Sequence, residues 1–202
     1  MTGIVIEKFR HIRRMLDERF PHEIAVIMPG EYFISESPMV IYTVLGSCIS
    51  VCIRDPILNI GGMNHFMLPA PNGNGHSDSW GRSARYGSFA MELLINGIMK
   101  RGGKKKRFEV KIFGGARIYE SSNDVGAKNA AWVTEYLALE GFKPIKVDVG
   151  DIYPRKIYYF TVSGRVLLKR IERIKNRTIF EREEQYLDAM HRQKMEGDVT
   201  LF

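Results

Sequence analysis

Short apolar runs broken by glycine and proline fill the first third of the chain. Helical spacing takes over later. The runs 24–28, 32–35, 39–44, 47–54 and 60–67 are rich in β-branched and aromatic residues. Pro29-Gly30, Ser37-Pro38, Asp55-Pro56 and Pro69 separate them, so they predict strands. Ahead of them, Ile6, Phe9, Ile12, Leu16 and Phe20 recur at nearly helical spacing, which predicts an amphipathic helix over 3–20 closed by Pro21. Residues 70–81 have the polar, glycine-rich composition of a surface loop. The pattern then predicts a helix over 83–99, with Phe89, Leu93 and Leu94 on one side. A strand over 108–113 stops at Gly114-Gly115, and a second helix over 124–139 is closed by Gly141. Strands follow at 143–149, 156–161 and 166–169, and a charged helix at 176–196 lies within a tail at 170–202. There is no internal repeat and no regular βαβ alternation. The expected fold class is α+β: a single domain over 1–202 with mixed sheets and flanking helices.

Composition narrows the setting. The 202 residues are 45% hydrophobic, enough for a core. No run of about 18 apolar residues occurs, so no membrane insertion is expected. The N-terminus lacks the apolar stretch and cleavage site of a signal peptide, which points to a cytoplasmic location. Formal net charge is +7. Lys100, Arg101, Lys104, Lys105, Lys106, Arg107, Lys111 and Arg117, against Glu109 alone, place all of that excess in 96–117. Such a cluster is a solvated face or a hold for an acidic partner. No aromatic-interleaved motif accompanies it, so nucleic acid is not the expected partner.

Candidate chemistry concentrates in two stretches, Thr43-Val-Leu-Gly-Ser-Cys48 and Gly61-Gly-Met-Asn-His65-Phe-Met-Leu-Pro69. A thiol nucleophile needs a base, and a histidine on an adjacent strand supplies one. The Gly46-Ser47 turn can aim backbone N–H groups at a developing oxyanion. Thr43 can orient the imidazole. The plainer reading, a small buried cysteine and a satisfied core histidine, stays open on spacing alone. Cys52 has no glycine turn before it and reads as core. Cys48, Cys52 and His65 copy part of a zinc-finger spacing. However, a strand separates the two sulfurs by roughly 13 Å, and His76 follows His65 too late, so no metal is expected. The same separation rules out a disulfide between them. Glycines 97–103 lack P-loop spacing, and no cofactor is expected.

These two stretches, together with Ser83-Ala-Arg-Tyr-Gly87, Lys111-Ile-Phe-Gly-Gly-Ala116, Asp148-Val-Gly150 and Pro154-Arg-Lys156, resemble the CheD family, the chemoreceptor glutamine deamidases of bacterial chemotaxis. The resemblance runs in order over about 30–170. It implies an α/β sandwich similar to the catalytic domain of cytotoxic necrotizing factor toxins. It also implies a Cys48, His65 and Thr43 arrangement that hydrolyses glutamine side chains on the cytoplasmic helices of methyl-accepting receptors, and a CheC-like phosphatase as a further partner. The N-terminal segment and the 170–202 tail lie outside it and receive no catalytic part. The alternatives are a non-catalytic binding module of the chemotaxis array and a nucleic-acid binder using 100–107. Release of ammonia from receptor separates the first reading from both.

Overall fold

The apolar runs pair into two mixed sheets. The computed structural model describes residues 9–68, 78–118, 124–172 and 178–192. One sheet holds β1 (Arg13–Met15), β2 (Ile24–Val26), β4 (Val40–Leu45), β9 (Arg155–Phe160) and β10 (Val166–Arg170), in the order β1-β2-β4-β9-β10. The other holds β3 (Tyr32–Ser35), β5 (Ile49–Asp55), β6 (Ile60–Asn64), β7 (Glu109–Gly114) and β8 (Lys146–Val149), in the order β3-β6-β5-β7-β8. Each sheet has one parallel pair, β2 with β4 and β7 with β8; the other pairings are antiparallel. Three α-helices are described, α1 (Asp78–Met99), α2 (Val125–Leu139) and α3 (Thr178–Arg192), and one short 3-10 helix at Lys105–Arg107.

The second sheet lies between the first sheet and the helices α1 and α2. One continuous core joins Ile41, Leu45, Ile157 and Tyr159 of the first sheet to Phe33, Val51, Ile53 and Met63 of the second. It continues into Met91, Leu94 and Ile98 of α1 and Val133 and Leu137 of α2. This layering explains why every residue of β5 except Arg54 is buried: both its faces are covered. On the far face of the first sheet, Phe20, Tyr42 and Tyr158 pack over Ile24, Val40 and Phe160.

Three expectations need correction. No helix covers 9–20: Arg13–Met15 pair antiparallel with Ile24–Val26 as an edge strand. Phe9 and Ile12 are buried, but Leu16 is 84% exposed, so the helical spacing there was coincidental. All three β1 residues face solvent and show no alternation to read. The second correction is to α1, which begins at Asp78, inside the stretch expected to be loop, and buries Met91, Leu94, Ile95 and Ile98 while Phe89 is 59% exposed. The rest of the glycine-rich stretch, at 70–77, and His76 lie outside the described residues. The third concerns the 143–149 strand, which starts only at Lys146. Pro144 has no N–H to give to the ladder.

Candidate active site

Thr43 lies on β4 of the first sheet, while Cys48 and His65 flank β5 and β6 of the second. The β5–β6 register pairs Cys52 with Met63. It resumes at an Ile49–Phe66 bridge, whose two N–H···O bonds measure 2.8 and 2.9 Å. Between these points Asn64 substitutes a side chain for the ladder: its Oδ1 accepts the Val51 N–H at 2.9 Å, and its Nδ2 donates to the Ala90 carbonyl at 3.2 Å. Continued one step each way, this register sets Cys48 and His65 diagonally across one face of the pair.

The His65 ring is held in one tautomer. The Thr43 hydroxyl has a single proton, which it donates to the Ile27 carbonyl at 2.8 Å. Its oxygen can then only accept from His65 Nδ1, 2.7 Å away. A neutral ring protonated at Nδ1 carries its lone pair on Nε2. That atom is buried and has no hydrogen-bond partner among the described residues. Burial pushes the imidazole down to about 3, partly offset by the Ile27 carbonyl, so the ring is neutral and, while it stays buried, a weak base. The histidine's main chain is also fixed: its N–H donates to Glu31 O at 2.9 Å, and its carbonyl accepts from Gly30 N–H at 2.8 Å.

The turn before β5 concentrates donors. The N–H groups of Gly46, Ser47 and Cys48 all point at the Glu183 carboxylate of α3, at 2.9, 3.1 and 3.4 Å. The Ser47 hydroxyl donates to the same carboxylate at 2.6 Å. Behind the turn, Asn129 of α2 donates to the Ser47 carbonyl at 2.8 Å and accepts the Leu68 N–H at 2.9 Å. The Cys48 carbonyl accepts from Gly115 N–H at 2.8 Å. A side chain at Gly114 (φ +117°) would meet that carbonyl at 2.1 Å, so this strand exit requires glycine.

Cys48 is fully buried. Burial pushes its thiol well up, and the charge and hydrogen bond of Glu183 push the same way. A thiolate held low by His65 is therefore absent from this arrangement, in which α3 covers the site. Cys52 is likewise buried, and burial raises its thiol. Both cysteines are free thiols. Among the described residues, no group of three or more His, Cys, Asp or Glu side chains stands close enough to hold a metal ion.

Of the five residues singled out in the sequence, Thr43 is bonded to His65, and Gly46, Ser47 and Cys48 form the turn one diagonal step across the strand pair from it; no hydrogen bond joins Cys48 to His65 among the described residues. Two more were missed. Asn129 had a signal, a lone amide between apolar positions of a predicted helix. Glu183 had none, since it is one acid among many in a charged tail. The basic segment lies elsewhere. Arg107 pairs with buried Asp55 at the end of β5 opposite Cys48, and Arg101 pairs with Glu36 at 3.1 Å. Lys105 pairs with Glu140.

The family model for CheD chemotactic sensory transduction matches residues 67–170. The chain is similar to the probable chemoreceptor glutamine deamidase CheD of Hahella chejuensis, with 47% identity over 194 residues, 96% of this chain and 92% of that protein. The chain belongs to the CheD family. It is also similar to the probable chemoreceptor glutamine deamidase CheD 1 of Dechloromonas aromatica (47% identity, 94% of each chain). The corresponding CheD of Methylobacillus flagellatus is 46% identical, over 92% of this chain and 93% of that protein. Thr43, Cys48 and His65 precede the stretch matched by the family model but fall within the length shared with these relatives. No helix among the described residues is long and apolar enough to cross a membrane.

Proposed function

We propose that this CheD-family chain hydrolyses glutamine side chains on the cytoplasmic helices of chemoreceptors, with Cys48 as nucleophile and His65 as base. The observation that carries the reading is the convergence of three backbone N–H groups at the turn that bears the Cys48 thiol, across the strand pair from an imidazole tied through Nδ1 to Thr43. His65 Nε2 takes the Cys48 proton, and the thiolate attacks the amide carbon. The N–H groups of Gly46 and Cys48 stabilise the oxyanion. The imidazolium then gives its proton to the departing nitrogen, and ammonia leaves. A water, deprotonated by His65, attacks the thioester; the thiol is regenerated and glutamate remains.

Thr43 acts through His65, holding the ring in the tautomer the first step needs. The names of the relatives support the receptor as substrate. A CheC-like phosphatase partner is carried by the family resemblance alone. The test is the intact mass of a receptor cytoplasmic fragment incubated with the protein. A rise of about one mass unit per converted glutamine is expected, with ammonia released in step. Both signals should vanish with Cys48→Ala and with His65→Ala. Full conversion by Cys48→Ala would refute the mechanism.

A further inference from the structure

α3 inverts the usual logic of a packed helix. Glu183 is 2% exposed, whereas its neighbours Glu181, Arg182, Glu184 and Gln185 face solvent. Burying a carboxylate costs several kcal/mol unless hydrogen bonds replace its water. Here the replacement is full. Oε1 accepts from Gly46 and Cys48, and Oε2 accepts from the Ser47 N–H and hydroxyl. The two donors to Oε1, the Gly46 and Cys48 N–H groups, are those assigned above to the oxyanion. The turn accepts the helix closely: a Cβ at Gly46 would meet Glu183 Oε1 at 2.7 Å, and one at Gly30 would meet the Tyr186 ring at 2.8 Å. Tyr186 also meets Tyr86 of α1, hydroxyl to hydroxyl.

We propose that α3 is a built-in product mimic: Glu183, a glutamate presented by a helix, occupies the place of the receptor side chain after deamidation, and α3 competes with the receptor helix for one docking face. The proposal rests on the deamidase reading, which makes a helix-borne glutamate the product. The face is formed by Gly30, Tyr86 and the 46–48 turn. While α3 is docked, Cys48 is inaccessible, so substrate enters only in the fraction of molecules whose α3 has left. Apparent affinity for receptor falls by that fraction.

The site also distinguishes acid from amide. A carboxylate offers acceptors to both pairs of donors. A carboxamide offers one oxygen and turns its NH₂ toward the other pair. The Ser47 hydroxyl can then swing its proton to Met67 Sδ, 3.4 Å away, and accept from the NH₂; the Ser47 N–H still opposes it. Glutamine at 183 therefore docks more weakly than glutamate, yet sets an amide carbon beside the thiol.

Two full-length variants test this. Glu183→Ala should raise iodoacetamide labelling of Cys48 about tenfold or more. It should raise the initial rate of receptor deamidation at low substrate by a similar factor. Glu183→Gln should convert itself back to glutamate, gaining about one mass unit at residue 183. The rate of that conversion should not depend on protein concentration, and it should stop when Cys48→Ala is added. Equal labelling and equal receptor rates in wild type and Glu183→Ala, with receptor still deamidated, overturn the inference and leave the deamidase reading standing. A receptor left unchanged by wild type and variants overturns the deamidase reading and the product mimic with it.

Discussion

The side chain of Asn129 holds the carbonyl of Ser47 at 2.8 Å across 82 positions of sequence, and its other end holds the Leu68 amide. One fully buried amide thus ties the nucleophile turn to the segment that follows His65. Asn129→Ala strands a buried acceptor and a buried donor. The expected cost is about 1–3 kcal/mol for each group. A urea midpoint lowered at unchanged m-value would show it. Asn129→Asp keeps the acceptor for Leu68 but turns a buried carboxylate oxygen toward the Ser47 carbonyl, so it should lose stability and also activity per folded molecule. Equal activity per folded molecule in Asn129→Asp would remove Asn129 from the positioning of the turn.

Thr43 and His65 make a second prediction. Thr43→Val removes both the acceptor for Nδ1–H and the strap to Ile27, leaving the ring free to rotate. kcat should drop by up to about 10²-fold with KM little changed. Thr43→Ser restores the hydroxyl and should recover most of the loss. Failure of serine to do better than valine would show that shape, not the hydrogen bond, matters at this position.

The buried imidazole also makes stability depend on pH. In the folded chain, burial pushes His65 down to about 3, the Ile27 carbonyl only partly offsetting it. In the unfolded chain the ring titrates near its ordinary value of about 6.5. Between these values the unfolded state holds the extra proton. The stability linked to His65 is therefore full above about 6.5, falls as pH drops, and levels off below about 3. His65→Gln abolishes that proton. Its free energy of unfolding in urea should be flatter with pH than that of wild type between pH 6.5 and 4.5, by up to about 1.4 kcal/mol per pH unit. Parallel curves would mean that the ring is solvated in the native state.

The basic segment should act at a distance from the chemistry. Lys104 donates its N–H to Asp55, at the end of β5 remote from Cys48, about 23 Å away along the strand. Lys105 is engaged with Glu140. Changing Lys104 and Lys106 to Glu should raise KM for an acidic receptor helix at low salt and leave kcat unchanged. The effect should fade as ionic strength rises, since screening acts over about 8–10 Å. An unaltered KM at low salt would identify the cluster as a solvated face.

Short strands with β-branched cores and glycine or proline between them were readable because both faces of β5 and one face of β4 are covered. Tyr32–Ser35 matches its run without adjustment. The N-terminal segment was not readable. Arg13–Met15 gain their strand character from pairing with Ile24–Val26, and pairing between segments leaves no mark on local spacing. The same contrast holds in the site. Thr43, Cys48 and His65 were legible as candidates because here a thiol, a glycine turn and a histidine fall within a short span of sequence. Glu183 reaches the turn from more than 130 positions away, through a tertiary contact that no periodicity encodes.

Thr43 belongs to one sheet, while Cys48 and His65 flank strands of the other. The orientation of the base is therefore set by how the two sheets are seated on each other, and a slippage of about 1 Å between them would turn the ring off its target. Tyr159 of β9, whose hydroxyl donates to the Ile53 carbonyl of β5 at 3.2 Å, is a rivet against such slippage. The interior of the sandwich is thus an alignment frame as well as a source of stability, and wear in its fasteners would register as lost turnover before it registered as unfolding.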